Sequence, residues 1–540
     1  MSPKQRFRFN ILSALALAML TVFAAWWFQL AHIPHNLHGY GHSIDFGLFA
    51  LLSYIIWFPI SMEVLSWAVA ANIKDTKHRD PEAGLKVAFV TTYVPASESI
   101  DLLRKTLPAM VHASYAHDTW LLDEGNDLAA RQLCLDLGVR HFSRAGKPQY
   151  NTEDGKFARK TKGGNHNSWY DTYGNDYDVV AQIDTDFIPS RSFLTRTLGH
   201  FKDPKVAFVG TPQIYGNTDT SMIARGAAQQ TYGFYGPLLR GFYGMNSTLL
   251  IGANHVIRVA ALKDVGHYSA HITEDLLTGM KLHARGWKSV YVHEPLAVGE
   301  GPDTWISYFN QQMRWAYGCI DILLHHSPKL LKQMNPRQAT YYFFLQQHYF
   351  SGLAMMLSLL MLACYFLFGL NPANIPVADF LELYALALLA CAFMALWLQR
   401  FNIIPEKERG LLLTSRVMSL ASWPIFFLAL VGVIRGKRLT YKVTPKGQHQ
   451  LRENQHPVEF KTFRTHLAIG AACALLIPIG LLQGHASAVM LFWATLGFVS
   501  MSALPFALLA YAKLGSQGRR ANRFSIWIQS IRGSLPGATI

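Results

Sequence analysis

Six apolar runs, at 10–31, 46–71, 342–369, 380–398, 466–482 and 488–511, carry almost no charge. A helix needs about 20 such residues to cross a bilayer, so each run predicts a spanning helix. Between the second and third runs the pattern becomes short and mixed. Val87-Ala88-Phe89-Val90-Thr91-Thr92 is apolar until its polar end, which predicts a buried parallel strand. Residues 101–113 have helical periodicity, and 119–123 and 178–183 predict further strands that lead to Asp123 and Asp184. Strands alternating with helices predict a parallel α/β sheet, with its ligand site at the carboxyl ends of the strands.

Composition and charge add an orientation. Hydrophobic residues make up 51 % of the 540 and charged residues only 15 %, which fits a chain that is part membrane and part globular. The net charge is +15, but Lys and Arg gather beside the apolar runs. That placement favours anionic lipid over nucleic acid as the partner, and some of the excess can draw in an anionic donor. Segments 32–45, 370–377 and 483–487 lack Lys and Arg, whereas the N-terminus, the middle block, 399–463 and the tail from Lys513 are rich in them. The positive-inside rule puts the first group outside and the second inside. The first run follows Lys4, Arg6 and Arg8, is long for a secretory signal and has no small-x-small cleavage site, so a retained anchor is expected.

Run 411–434 is apolar enough to span. If it crossed, Arg435, Lys437, Arg438, Lys442 and Lys446 would lie outside, and Arg416, Ser419, Ser422, Trp423 and Pro424 interrupt it. The expectation is an interfacial or re-entrant helix along the cytoplasmic face, leaving six spans and both termini inside. Segment 304–331 is expected to be a second interfacial element. The resulting organisation is 1–75 transmembrane, 84–303 a cytoplasmic α/β domain, 304–340 interfacial, 341–400 transmembrane, 411–462 an interfacial helix with a following loop, 463–513 transmembrane and 514–540 a cytoplasmic tail. The five cysteines have no disulfide or zinc spacing and read as small buried hydrophobes in a reducing compartment.

Four motifs and one Gly-rich stretch carry candidate chemistry. Asp184-Thr185-Asp186 directly follows an apolar strand, and two carboxylates there can share Mg²⁺ or Mn²⁺ with a diphosphate; Asp also opens turns. Thr273-Glu274-Asp275 precedes the helical string LLTGMKLHARGW. Thr is expected as its N-cap, and the helix dipole is expected to keep Asp275 ionised as a general base, with Glu274 the second choice. Gln311-Gln312-Met313-Arg314-Trp315 joins a phosphate-binding cation to a flat ring that suits a sugar; an aromatic and basic pair also marks membrane interfaces. Asp123 lies in LLDEGND. Lys162-Gly163-Gly164-Asn165 can approach phosphate, or be a flexible surface loop. Cys319, His166 and His283 lack partners at ligand spacing and are expected to be structural.

In this order the motifs resemble the membrane-integrated processive family 2 glycosyltransferases, the cellulose, curdlan and mixed-linkage glucan synthases. ITEDLLTGMKLHARGW is the most specific string. Thr92-Tyr93-x-Pro95 is similar to the family's opening strand, and Tyr441-x-Val443-Thr444-x-Lys446 resembles its F-x-V-T-x-K gating loop, with Tyr in place of Phe. Glu124 stands where a second Asp is common.

The resemblance implies a GT-A domain inserted in a transmembrane helical bundle, a Mg²⁺ or Mn²⁺ cofactor and an inverting mechanism. Thr92, Tyr93, Asp123, Lys162, Asp184, Gln311, Gln312 and Arg314 would bind the UDP-sugar. Asp186 and Asp184 would hold metal, and Thr273, Glu274 and Asp275 would form the catalytic motif. Trp315 would meet the acceptor, and Tyr441, Val443, Thr444 and Lys446 would close over nucleotide. Partners would be the UDP-sugar, the growing polysaccharide, membrane lipid and export or accessory subunits, with no nucleic acid. The setting would be a bacterial inner membrane with the catalytic domain cytoplasmic. A β-glucan from UDP-glucose is the expected product. UDP-N-acetylglucosamine or a uronic acid donor, a non-processive transfer to a lipid carrier, and an inactive scaffold are the alternatives.

Overall fold

A computed structural model describes residues 1–36, 42–437, 439 and 460–515. The gating-loop residues Tyr441, Val443, Thr444 and Lys446 fall outside them. Two long helices come first, α1 (Pro3–Trp27) and α2 (His42–Ala70). Then follows the α/β block: β1 (Val87–Tyr93), α3 (Ile100–Val111), β2 (Asp118–Asp123), α4 (Leu128–Leu137), β3 (Arg140–Phe142), α5 (Lys162–Tyr173), β4 (Val179–Ile183), β5 (Val206–Gly210), α6 (Met222–Gly233), β6 (His255–Arg258), α7 (Glu274–Ala284) and β7 (Lys288–Tyr291). The predicted strands and helix of this block are present, with ends displaced by a residue or two.

The seven strands form one sheet in the order β3-β2-β1-β4-β6-β5-β7. Only β6 runs antiparallel to its neighbours β4 and β5; the other pairs are parallel. This is a Rossmann-like, mostly parallel sheet with one antiparallel strand. Period-two alternation feeds two cores. Val87, Phe89, Leu121, Val179 and Ala181 face one layer, and Ala88, Val90, Trp120, Leu122 and Val180 face the other. The register pairs Tyr93 with Asp123 and Thr91 with Ile183. The carboxyl ends of β1, β2 and β4 are therefore level, and they present Thr92, Asp123 and Asp184 along one edge.

The first core does not stop at the sheet. It continues through Trp305, Tyr308, Ala316 and Ile320 of α8 (Trp305–Asp321) into Met418, Ala421, Ile425 and Ala429 of α11 (Leu413–Ile434). The remaining long helices are α9 (Ser351–Phe368), α10 (Val377–Leu398), α12 (Arg464–Gln483) and α13 (Ala488–Gly515). A separate apolar cluster joins α1, α2 and α10.

Seven helical segments among the described residues are long and apolar enough to cross a membrane, so the protein is an integral membrane protein. The six expected runs each fall on one, and Leu413–Ile434 is the seventh. Length and composition do not set α11 apart, but its surroundings do. Of its most apolar stretch 56 % is buried within the protein, against 22–33 % for the other six. It packs on α6 and α8 as well as on α9. All five cysteines are free; four are buried and Cys364 is half-buried.

Candidate active site

The sheet edge, α5, α7 and α8 converge on one cavity of about 1930 Å³. Thr92, Lys162, Asp184, Asp186, Thr273, Glu274, Asp275, Gln311, Gln312, Arg314 and Trp315 all line it. Asp184 follows β4 and keeps about a quarter of its side chain exposed, while Asp186 is 5 % exposed. Gln311, Arg314 and Trp315 share a face of α8 by their three- and four-residue spacing. Tyr308, one turn earlier, fixes that face: its hydroxyl is 2.8 Å from Gln230 Oε1 on α6 and 2.8 Å from Ser422 Oγ on α11.

Lys162 corrects the flexible-loop alternative. Residues 162–165 open helix α5, and Thr161 caps it by accepting from the Gly164 amide at 3.1 Å. The Lys162 ammonium donates to Asp184 Oδ1 and to the Gly252 carbonyl, each at 2.5 Å. Gln182 Nε2 holds the same carbonyl at 2.8 Å. Gly252 lies close to the second carboxylate: a Cβ there would stand 3.2 Å from Asp275 Oδ2, a tight contact. One short backbone segment thus links the β4 carboxylate to the α7 carboxylate.

Two expectations for the Thr273-Glu274-Asp275 turn need correction. Thr273 occupies the N-cap position but makes no side-chain cap bond to α7. Its hydroxyl instead lies 3.0 Å from His271 Nδ1. Nor does the helix dipole dominate the carboxylates. Both retain some surface facing the cavity, yet protein surrounds them otherwise. Burial raises the Asp275 pKa above the ordinary carboxylate range, although the Leu276 amide, Lys162 and Arg314 pull it down. Burial and the Asp275 charge raise Glu274 to about 7. Removing ions from water outweighs a half-charge at a helix end.

Two predicted contacts do not reach the cavity. Asp123 has no exposed surface; it accepts from the Gly125 amide at 2.9 Å and the Asp127 amide at 2.6 Å, with His141 Nε2 at 3.1 Å. It shapes the turn after β2, whose Glu124, Gly125 and Asp127 do line the cavity. Tyr93 is buried in the core beneath the sheet edge.

Arg144 and Gly252 had no signal in the sequence. Arg144, fully buried, grips Glu124 with Nε at 2.9 Å and Nη2 at 2.8 Å, and donates to the carbonyls of Tyr150, Ala158 and Thr161. It ties the turn after β2 to the start of α5. Glu124, the departure from the resembled motif, is the carboxylate that orients this guanidinium. His283 lies 2.7 Å from the Tyr342 hydroxyl and 2.9 Å from the Ser289 hydroxyl, a structural role as expected. His166 is buried against Tyr268.

The cavity continues between the long helices. Ile55, Phe58 and Met62 of α2, Ala354 and Ser358 of α9, Leu398 of α10, and Ser415, Ser419 and Trp423 of α11 line the same space.

Residues 179–399 match the family model described as glycosyl transferase family group 2. That stretch is similar to family 2 glycosyltransferases, and the likeness runs from β4 beyond the sheet, through α8 and into the bundle. The chain is 29 % identical over 371 residues to the cellulose synthase catalytic subunit [UDP-forming] of Pseudomonas fluorescens (strain SBW25), an alignment covering 66 % of this chain and 47 % of that protein. It is 29 % identical over 273 residues to the subunit of the same name from Xanthomonas axonopodis pv. citri (strain 306), covering 49 % and 35 %. The chain therefore spans less than half the length of either relative. Among solved structures, the mannosyltransferase PcManGT from Pyrobaculum calidifontis in complex with GDP-Man and Mn²⁺ aligns at a TM-score of 0.44 with 13 % identity, over 65 % of this chain and 99 % of that one.

Proposed function

We propose that this chain is a processive, inverting, UDP-sugar-dependent β-glycosyltransferase that builds a β-linked polysaccharide and passes it into the helical bundle. The observation that carries this reading is the single cavity joining Asp184, Asp186, Asp275 and Trp315 to residues of α2, α9, α10 and α11. A soluble transferase has no use for a site continuous with the space between membrane helices.

The mechanism follows from placement. UDP lies at the level ends of β1, β2 and β4, against Thr92 and the Asp123 turn. Asp184 and Asp186 supply the carboxylate oxygens that Mg²⁺ or Mn²⁺ prefers, in a cavity that Lys162 and Arg314 also line. The ion would neutralise charge on the diphosphate. Gln311, Gln312 and Arg314 face the departing phosphate, where a fixed guanidinium stabilises developing negative charge without reorganising. Asp275 takes the proton of an acceptor hydroxyl. That oxygen bonds to the anomeric carbon as the bond to the β-phosphate oxygen breaks, and UDP leaves with the electron pair. One displacement turns an α-linked donor into a β-linked product. A pKa lifted by burial makes Asp275 a stronger base than a surface carboxylate. The Leu276 amide, donating to Asp275 Oδ1 at 2.8 Å, holds its position, Glu274 and Thr273 complete the turn, and Trp315 offers its ring to the acceptor sugar.

UDP-glucose is the proposed donor, on the resemblance of the motifs and on the names of the two relatives. In this reading the tail and α11 lie on the cytoplasmic side of a bacterial inner membrane. The apolar lining of the bundle half also suits a lipid-linked acceptor, which gives the second reading. Purified full-length chain in nanodiscs, offered UDP-glucose, UDP-N-acetylglucosamine and UDP-glucuronic acid in turn, tests both. Long products cleaved by a β-glucan-specific hydrolase support the first; a single sugar on added lipid supports the second. No UDP release with any donor refutes both.

A further inference from the structure

Three histidines and a carboxylate cluster behind Thr273, outside the cavity's acidic residues. His271 Nδ1 stands 3.2 Å from the Thr273 amide nitrogen, and its Nε2 stands 2.9 Å from Asp321 Oδ2. An amide can only donate, so Nδ1 accepts and Nε2 carries the proton that Asp321 receives. The His326 ring faces that of His271 nearly edge-on, with centroids 5.8 Å apart. One ligand atom each from His271, Asp321 and His326 lie within 4.8 Å of one another. His325 Nδ1 meets the other Asp321 oxygen at 2.9 Å.

The backbone provides an independent observation. Residues five apart on an α-helix stand about 140° apart around its axis, at 3.6 residues per turn. Asp321 and His326 would then face different ways. At Asp321, however, α8 gives way to a π-helical turn, Ile322–His326. Its wider i→i+5 pattern brings His326 back over Asp321, and such turns recur at functional sites.

We propose that His271, Asp321 and His326 hold a second divalent ion, a transition metal of the Zn²⁺ class. Two imidazoles and a carboxylate select Zn²⁺ over Mg²⁺, and a water or His325 would complete the shell. Coordination through Nε2 moves the His271 proton to Nδ1, leaving the ring neutral. Nδ1 then turns from accepting the Thr273 amide, 3.2 Å away, to donating to Thr273 Oγ1 at 3.0 Å, the hydrogen bond that orients a ligating histidine, and the loop shifts to release that amide. The ion would pin the loop before Glu274 to the helix that carries Arg314 and Trp315. The proposal does not depend on which sugar is transferred.

The test uses full-length protein purified without a polyhistidine tag. It is loaded with Zn²⁺, dialysed against millimolar Mg²⁺ and assayed for metal content. Co²⁺ substitution reports ligand type through its visible absorption. About one equivalent of Zn²⁺ is expected to remain, with imidazole-type Co²⁺ bands. Asp186→Asn should retain it. His326→Ala should lose at least tenfold in Zn²⁺ affinity while keeping Mg²⁺-supported UDP release, which also certifies its fold. No retained Zn²⁺ in the parent protein, or equal retention in His326→Ala and His271→Asn, overturns the proposal.

Discussion

At the sheet end of the cavity Lys162, Asp184, Asp186, Glu274, Asp275 and Arg314 crowd together, whereas at the bundle end Ile55, Phe58, Met62, Ala354 and Leu398 face the same space. The first half is built from charged side chains, with Lys162 and Asp184 in direct contact. The second offers mainly apolar surface with hydroxyls and amides, and with Glu63 and Arg416 as its charged side chains. Bond chemistry needs charge at set points, because a preorganised charge stabilises a transition state without paying for reorganisation. Movement of a product needs the reverse: contacts weak and repeated enough that no single position becomes a trap. The two halves suit the two tasks.

The largest expected break in this comparison is at the charged end. Asp275→Asn should lower turnover by roughly 10²–10⁴-fold, the range for removing a general base, and leave UDP affinity near the parent value. Single-turnover UDP release together with calorimetric UDP binding checks it, and retained polymer synthesis would remove Asp275 as the base. Asp186→Ala, or chelation of the parent protein, should abolish the dependence of donor binding on Mg²⁺ or Mn²⁺. An unchanged metal response would count against the Asp184–Asp186 pair.

The bundle end should respond differently. Ser358→Trp places bulk in the cavity beyond the acceptor, so product length should fall several-fold while initial UDP release persists. Equal product length on a sizing gel would detach the bundle half from the reaction.

A smaller effect lies in pH. Asp275 must be ionised to act, and burial lifts its pKa. The acidic limb of the rate profile should therefore lie above the ordinary carboxylate range, with activity falling as pH drops through it. Stability should run the opposite way. Glu274 shifts from 4.5 to about 7 on folding. Across that window the folded protein binds more protons than the unfolded chain, so this group makes the protein less stable as pH rises. Parallel pH series of rate and thermal midpoint test both signs.

The smallest effect is Tyr308→Phe, which removes the two 2.8 Å contacts that join α8 to α6 and α11. About 1 kcal/mol of stability is expected to go, read as a lower unfolding midpoint. A larger loss of polymer length than of stability would show that the seam between the halves also steers the product.

Much of the architecture was legible because it rests on local pattern. Apolar run length gave the long helices, and strand ends gave Asp123 and Asp184. The motif order brought Thr273, Glu274, Asp275, Arg314 and Trp315 together on paper, and the cavity contains them all. The misses share a cause. Arg144 meets Glu124 across 20 residues, and Gly252 lies 90 residues from Lys162, so neither contact leaves a periodic trace. The Thr273 cap failed because its backbone, at φ −118° and ψ 66°, leaves the usual extended cap geometry and its hydroxyl faces His271 instead.

By itself the sequence determined the elements, their order and the kinds of side chain available, since apolar spacing and turn chemistry act over a few residues. Only the tertiary structure decided which acids share a cavity, which are buried inside the turn after β2, and how far the carboxylates of α7 are pushed from their solution pKa. Those outcomes depend on desolvation and on partners brought from distant parts of the chain, and neither quantity exists until the chain has folded.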